Sequence, residues 1–268
     1  MDSDVAKKRA EIPGSASSIL DARTLHTSHK RLSELVTEGM SVLDVGCGTG
    51  TITKGIAEIV GSRGRVVGID QNPAFVETAN ESALDLPMLS FMEGDVYDLP
   101  FENEFDMVTS ARVLQWLSDP VRALRTLIAA AKPGGKIIIL DYNHEKIKWE
   151  PEPPESTKQF YRAFLKWRAD AGMDNEMADH LEEMYGRVGL SQIHTHIQDE
   201  VVTRSDPDFM KKINIWADVM TSRGKQMVRD GFYGESELTL AEKQYREWVQ
   251  FEARSQCMYL RAVEGSKQ

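Results

Sequence analysis

Between residues 41 and 142, short apolar runs alternate with stretches whose apolar positions recur every three or four residues. The runs Ser41–Val45, Arg65–Ile69, Leu89–Met92, Phe105–Ser110 and Lys136–Tyr142 are nearly continuous in apolar residues. That is the pattern of parallel strands covered on both faces. Between them, Thr51–Val60, Pro73–Ser82 and Pro120–Ala131 read as helices. Pro73 and Pro120 fall in a first helical turn, where a missing N–H forfeits no bond. Strand and helix in alternation predict an α/β fold with a doubly wound, mostly parallel sheet.

The pattern changes outside this stretch. Residues 17–37 read as one or two helices, and Pro151, Pro153 and Pro154 break the chain after the fifth strand. Ser156–Ala169 places Phe160, Phe164 and Trp167 on one helical face, and Met177–Val188 is a further helix. Gln192–Thr203 reads as one strand with Ile193, Ile197 and Val201 sharing a face, and Gln256–Val263 as a closing strand. Phe209, Ile213, Trp216 and Met220 carry helical spacing through an insertion. The expected division is a helical segment at 1–40 covering the site, and a core at 41–205 and 254–264. A lid insertion at 145–172 and a second at 206–253 complete it. Their aromatic residues, Tyr245 and Trp248 included, suit either a lid over a bound molecule or ordinary helix burial.

Composition narrows the function classes. A chain of 268 residues with 41% hydrophobic residues can bury one substantial core. Its net charge of −10 argues against a nucleic-acid partner, which needs a basic face. Cys47 and Cys257 are too few and too far apart for a disulfide framework, which fits a reducing compartment. With no secretory apolar segment and no membrane-length apolar run, the expected location is cytoplasmic.

The strongest chemical signal is Asp44-Val45-Gly46-Cys47-Gly48-Thr49-Gly50, leaving a predicted strand and opening a helix. Glycines permit a sharp turn, let a ligand approach the main chain, and set it before the N–H groups of a helix start. A dinucleotide fingerprint spaces them G-x-G-x-x-G to seat a pyrophosphate. Here the spacing is G-x-G-x-G, and Asp44 would repel a pyrophosphate. The carboxylate suits a ligand carrying an ammonium group. Asp70 ends the next strand, where an acid can accept from both hydroxyls of a ribose. Helix capping ahead of Pro73 is its other possible role. Asp95, after the third strand, can accept from an adenine amino group while the Val96 N–H donates to the ring.

Together these residues resemble the class I S-adenosylmethionine-dependent methyltransferase family. Phe105-Asp106-Met107-Val108 and Lys132-Pro133-Gly134-Gly135 match further landmarks of that family, and the resemblance covers residues 35–142. It implies a seven-stranded Rossmann-like sheet whose last strand is antiparallel, and S-adenosylmethionine as cofactor. Asp44, Gly46, Gly48 and Gly50 would hold the methionyl end, Asp70 and Gln71 the ribose, and Asp95 and Val96 the adenine. Arg112, just beyond the fourth strand, joins this cofactor set. Leu114-Gln115-Trp116 is similar to a tripeptide in trans-aconitate methyltransferase-like enzymes, and the small-molecule type is shared with quinone-biosynthesis enzymes.

Methyl transfer needs alignment and exclusion of water more than acid–base help. His144, past the fifth strand, is the candidate base should the acceptor have to lose a proton. Trp116 could line the methyl site or pack on the sheet. His194 and His196 fall on a predicted strand as structural residues, and no spacing suggests a metal. The acceptor is expected to be a small molecule methylated on O, N or C, by a monomer or homodimer. The alternatives are a protein or RNA methyltransferase and a non-catalytic nucleotide-cofactor-binding module. Replacing Asp70 with Ala is expected to weaken cofactor binding with little effect on the fold.

Overall fold

A computed structural model describes residues 3–10 and 23–268. The predicted helix region at 17–37 therefore lies partly outside the described residues. From residue 25 onward it contains two short helices, Leu25–Ser28 and Lys30–Leu35. A preceding helix, α1, spans Ser3–Ala10.

The strands β1 (Ser41–Val45), β2 (Arg65–Asp70), β3 (Leu89–Glu93), β4 (Phe105–Ala111) and β5 (Ala131–Glu150) pair in parallel, in the order 3-2-1-4-5. Strand β8 (Ser255–Ser266) runs antiparallel beside β5, and β6 (Ser191–Ile197) pairs antiparallel with β8. Successive strand residues point to opposite faces. Val42, Ile138 and Leu140 enter one apolar cluster with Ile56 and Val60 of the helix Thr51–Val60. Leu43, Ile137 and Ile139 enter the other, with Leu124 and Leu127 of the helix Pro120–Ala130. The central strands are thus buried on both sides, which is why their sequences read as apolar runs, whereas the edge strand β3 buries Leu89 and Phe91 and exposes Ser90 and Met92.

The segment read as one strand at 192–203 is two. It breaks at Gln198 and Asp199, and β7 (Glu200–Thr203) pairs separately with the first part of β8. Ile193 is half-buried, but a register shift between Ser191 and His194 leaves Ile197 exposed, and in β7 Val202 is buried while Val201 is exposed. The sheet therefore holds eight strands among the described residues. Strand β5 also runs eight residues past the expected Tyr142, because its distal part pairs with β8 from Lys148–Cys257 to Glu150–Ser255.

Phe160, Phe164 and Trp167 of the helix Glu155–Asp170 are buried, as their spacing predicts. The insertion is segmented rather than continuous. Short helices Phe209–Ile213, Ile215–Val219 and Lys225–Arg229 flank one π-helical turn at Met220–Gly224, and a long helix follows at Glu235–Phe251.

Two of the sequence landmarks are structural. Asp106 accepts from the Ser41 N–H and hydroxyl and from Lys132 Nζ at 2.6 Å, tying together the first residues of three strands. Their opposite, carboxyl ends are where open α/β sheets bind ligands.

Candidate active site

The turn after β1 is built by three glycines in left-handed conformation, with φ of 77° at Gly46, 56° at Gly48 and 83° at Gly50. A Cβ on Gly46 would stand 2.3 Å from Val113 Cγ2, so the close approach as well as the φ demands glycine. The N–H groups of this turn are directed inward. Those of Gly46 and Cys47 donate to Ile69 O, that of Gly48 to Asp70 Oδ2, and that of Gly50 to Cys47 O. The helix itself begins one residue later, at Thr51, which lines the smaller cavity with Ile52. These four amides cannot receive a pyrophosphate, which agrees with the argument from glycine spacing.

Asp70 is bound on both oxygens, accepting the Gly48 N–H at 2.8 Å and the Asn72 N–H at 2.9 Å. It does not cap the following helix, because Asn72 does so through the Ala74 N–H. Burial raises the Asp70 pKa, against the pull of its amide donors. Each carboxylate oxygen keeps a lone pair for another donor.

A cavity of about 830 Å³ lies beyond the carboxyl ends of the strands. Gly46, Gly48, Asp70, Gln71, Asp95 and Val96 line one part of it. Asp95 accepts the Tyr97 N–H and pairs with Lys7 Nζ at 3.2 Å, so α1 reaches across this end. Asp44 borders a smaller cavity of about 50 Å³, which shares Gly46, Gly48, Arg23, Ala111 and Arg112 with the large one. It bonds Thr53 Oγ1 at 2.6 Å, and burial pushes its pKa up to about 6, with the Asp70 charge adding to the rise. All the residues expected at a cofactor therefore meet on one side of the sheet, except that Gly50 lines neither cavity.

Arg112 stands between the two cavities with φ of 62°, a backbone state uncommon outside glycine. Its guanidinium donates to the Tyr142 hydroxyl at 2.9 Å, to Ser28 O at 2.9 Å and to Glu200. Nη1 is buried without a protein partner. The Glu200 charge and the Tyr142 hydroxyl raise its pKa against the opposing effect of burial, so it stays a cation.

The other end of the cavity is aromatic. Tyr142, His144, Phe164, Trp216 and Trp116 line it together with Ile215, Val219 and Met258. Phe160, Trp167, Phe209, Tyr245 and Trp248, expected as either lid or core, do not reach the cavity. Trp116 lines the space as one reading expected, but the Arg168 and Arg223 guanidinium carbons sit 4.4 and 5.0 Å from its ring centroids. His144 is buried, and desolvation together with Arg168 pushes its pKa well below the ordinary value. His196 lies 3.8 Å from Glu264, away from the cavity.

Gln115, expected near the transferred methyl because it follows the fourth strand, does line the cavity, whereas sequence reasoning missed Arg168, Glu200 and Arg223 as parts of this assembly. Arg168 carried a usable signal: four residues after Phe164, it shares the buried helical face, yet it is charged. Glu200 carried none, because β7 was not expected to separate.

Residues 36–227 match a model of the methyltransferase domain family. The demethylmenaquinone methyltransferase of Staphylococcus aureus is 35% identical over 133 residues, which are 49% of this chain and 52% of that protein. The 2-phytyl-1,4-naphtoquinone methyltransferase of Trichormus variabilis is 34% identical over 137 residues, 50% of this chain and 55% of that protein. The chain thus spans about half the length of the curated relatives it matches. A SAM-dependent methyltransferase structure from Aquifex aeolicus shares the fold, with a TM-score of 0.56 at 18% identity over 96% of this chain and all of that one. The family model covers well over half of the sequence, and the chain belongs to the methyltransferase domain family.

Proposed function

We propose that this protein is an S-adenosylmethionine-dependent methyltransferase acting on a small molecule. One observation carries the reading: a single large cavity is lined at one part by the glycine turn, Asp70 and Asp95, and at another by aromatic side chains. At about 830 Å³ it falls within the roughly 300–1,000 Å³ of ligand pockets.

The residues present suit this cofactor. A dinucleotide would need turn amides that are already engaged. An ammonium group needs a carboxylate beside the turn, and Asp44 provides one. Asp70 has lone pairs left for two ribose hydroxyls, with Gln71 beside it. Asp95 retains acceptor capacity beyond Lys7 and the Tyr97 N–H, and Val96 follows it along the cavity wall. Arg112 Nη1, buried and without a protein partner, is suited to the carboxylate of the methionyl end.

When bound, S-adenosylmethionine supplies a methyl group on a sulfonium, already activated for in-line displacement. The protein then has three tasks, namely to align the acceptor, exclude water and leave the transferring methyl unobstructed. Phe164, Trp216, Ile215 and Val219 exclude water from the acceptor end, and Ala6 and Ala10 of α1 close the cavity from outside. The division proposed is a core at 41–205 and 254–264, with 1–40, 145–172 and 206–253 forming the cover. The relatives named for menaquinone and phytyl-naphtoquinone methylation favour a planar ring as acceptor. The net charge of −10 disfavours RNA. No described helix is long and apolar enough to cross a membrane, in keeping with a cytoplasmic enzyme.

Calorimetric titration with S-adenosylmethionine, S-adenosylhomocysteine and NAD tests the cofactor. Binding of the first two without NAD is expected, and binding of NAD alone overturns the reading. A screen with labelled methyl donor across phenols, amines and quinols then identifies the acceptor.

A further inference from the structure

Gln115 sits in the short turn after β4 and is held on every side. Its N–H donates to Asp141 Oδ2 at 3.1 Å, and its carbonyl accepts from Arg168 Nη2 at 2.9 Å. The same Arg168 nitrogen lies 3.2 Å from Gln115 Oε1. On its other side, Gln115 Oε1 stands 2.6 Å from His144 Nε2.

These contacts determine where the imidazole proton is. A guanidinium only donates, so the side-chain atom facing Arg168 must be the amide oxygen. The amide nitrogen faces an acceptor, Arg112 O at 3.4 Å, which agrees with that orientation. An amide oxygen only accepts, so Nε2 of His144 carries the proton. In a neutral ring Nδ1 is then the bare, accepting nitrogen. Burial and the nearby Arg168 cation keep the ring neutral.

His144 Nδ1 is buried and has no partner in the protein, and His144 lines the cavity. Around the ring stand Tyr142 at 5.4 Å, Phe164 at 6.0 Å and Trp216 at 6.4 Å between centroids. None of these rings supplies Nδ1 with a donor. A buried acceptor without a donor is unfavourable; the neighbouring Trp216 Nε1–H, also without a partner, makes no bond to it, and a molecule in the cavity can relieve it.

We propose that Gln115, oriented by Arg168, is a positioning residue that locks His144 in the Nε2–H tautomer and thereby selects methyl acceptors presenting an O–H or N–H donor to Nδ1 between aromatic walls. This rests on the reading of the cavity as a methyl-acceptor site. Its core, a fixed tautomer with an open acceptor nitrogen, stands apart from the methyl donor.

The test is ring-nitrogen NMR on the full chain labelled with 15N-histidine, with the His144 signals assigned from a His144→Asn variant. Phenol and anisole serve as probes, since they share a ring and only phenol has a donor. The wild type should show the proton on Nε2, a phenol-dependent shift confined to Nδ1, and about tenfold tighter binding of phenol than anisole. Gln115→Leu should give mixed tautomers and lose the phenol preference, whereas Gln115→Glu, which keeps an acceptor oxygen, should retain both. A proton on Nδ1 in the wild type, equal affinity for the two probes, or an unchanged tautomer in Gln115→Leu would overturn the proposal. Should Gln115→Leu fail to fold, the wild-type tautomer, the two probes and Gln115→Glu still decide. Because no arm contains a methyl donor, absence of S-adenosylmethionine binding would refute the proposed function and leave this result standing.

Discussion

Replacing Asp70 with Ala removes more than a ligand contact. Its carboxylate joins the glycine turn to the start of the next helix, through Gly48 N–H at 2.8 Å and Asn72 N–H at 2.9 Å. Hydrogen bonds to a charged group are worth roughly 1.5–3 kcal/mol each. Burial of the carboxylate opposes part of that gain, since desolvation is the leading cause of its raised pKa. The net loss on truncation is then about 1–3 kcal/mol, and at roughly 2–4 °C per kcal/mol the Tm falls by about 2–12 °C. The helix itself stays capped by Asn72, so the damage is confined to the turn. The expectation that the fold would be indifferent to this substitution is amended accordingly. Cofactor affinity falls further, by roughly 1.5–3 kcal/mol or about one to two decades, as the ribose contact is lost. Asp70→Asn should lose nearly as much stability, because its amide can accept one N–H but turns a donor toward the other. Thermal unfolding followed by circular dichroism, with calorimetric titration of S-adenosylhomocysteine, measures both effects. An unchanged Tm refutes the anchoring role, and unchanged affinity in a folded variant refutes the ribose assignment.

Three further outcomes are expected. Burial holds the Asp44 pKa up at about 6, and an ammonium ligand requires the ionised form, so cofactor affinity should be flat above that pH and decline as pH falls through it. The free protein responds in the opposite direction: its folded pKa is raised, so this group's destabilising effect is relieved as pH falls through about 6 toward the unfolded value of roughly 3.9. A flat affinity profile in calorimetry, or a slope that persists in Asp44→Asn, would show that Asp44 does not meet the ligand. Gly46→Ala forces a Cβ to 2.3 Å from Val113 at a φ of 77°. It should lose about 2 kcal/mol or more in denaturant unfolding, with Val113→Ala restoring only the steric part, and wild-type stability would contradict the geometry. Glu200→Gln leaves Arg112 without its carboxylate partner. Because Glu200 is 34% exposed, the loss should be about 1–3 kcal/mol rather than the roughly 3–5 of a fully buried pair, and no change in the denaturation midpoint would refute the pairing.

The cofactor half of the site was legible because it is made by local rules. Parallel strands buried on both faces must be apolar, a tight turn against Val113 must be glycine, and an acid at a strand end is visible wherever the strand is. The acceptor half follows no such rule. Tyr142 read as the end of the fifth strand and His144 as a loop residue, because a polar run follows the apolar one. Pairing of Tyr142 and Asn143 with β8, more than a hundred residues later, carries the strand on, and the His144 N–H is held by Asn175 O. The split between β6 and β7 is likewise decided by which part of β8 each half meets. Arg168, Arg223 and Trp216 enter through segments whose helical periodicity told of burial and not of what they would be buried against.

That division has a chemical counterpart. The part of the cavity beside Asp44, Asp70 and Asp95 is rich in carboxylates, in keeping with a ligand that carries ammonium and hydroxyl donors. The opposite end is governed by buried guanidinium groups, although the whole chain is acidic. Arg112, between the two cavities, is matched by Glu200, while beyond the aromatic end Arg168 faces Asp141, whose pKa burial pushes up to about 7. Around neutrality Asp141 is therefore only partly ionised, and the Arg168 charge is incompletely balanced. An incompletely balanced cation behind Gln115 disfavours protonation of His144. A molecule placed there meets the rings of Phe164, Trp216 and Trp116. It is also kept apart from the carboxylates that would compete for its donors. The fold achieves this by supplying the acidic end from the strand ends of the core, and the cationic, aromatic end largely from segments packed upon it.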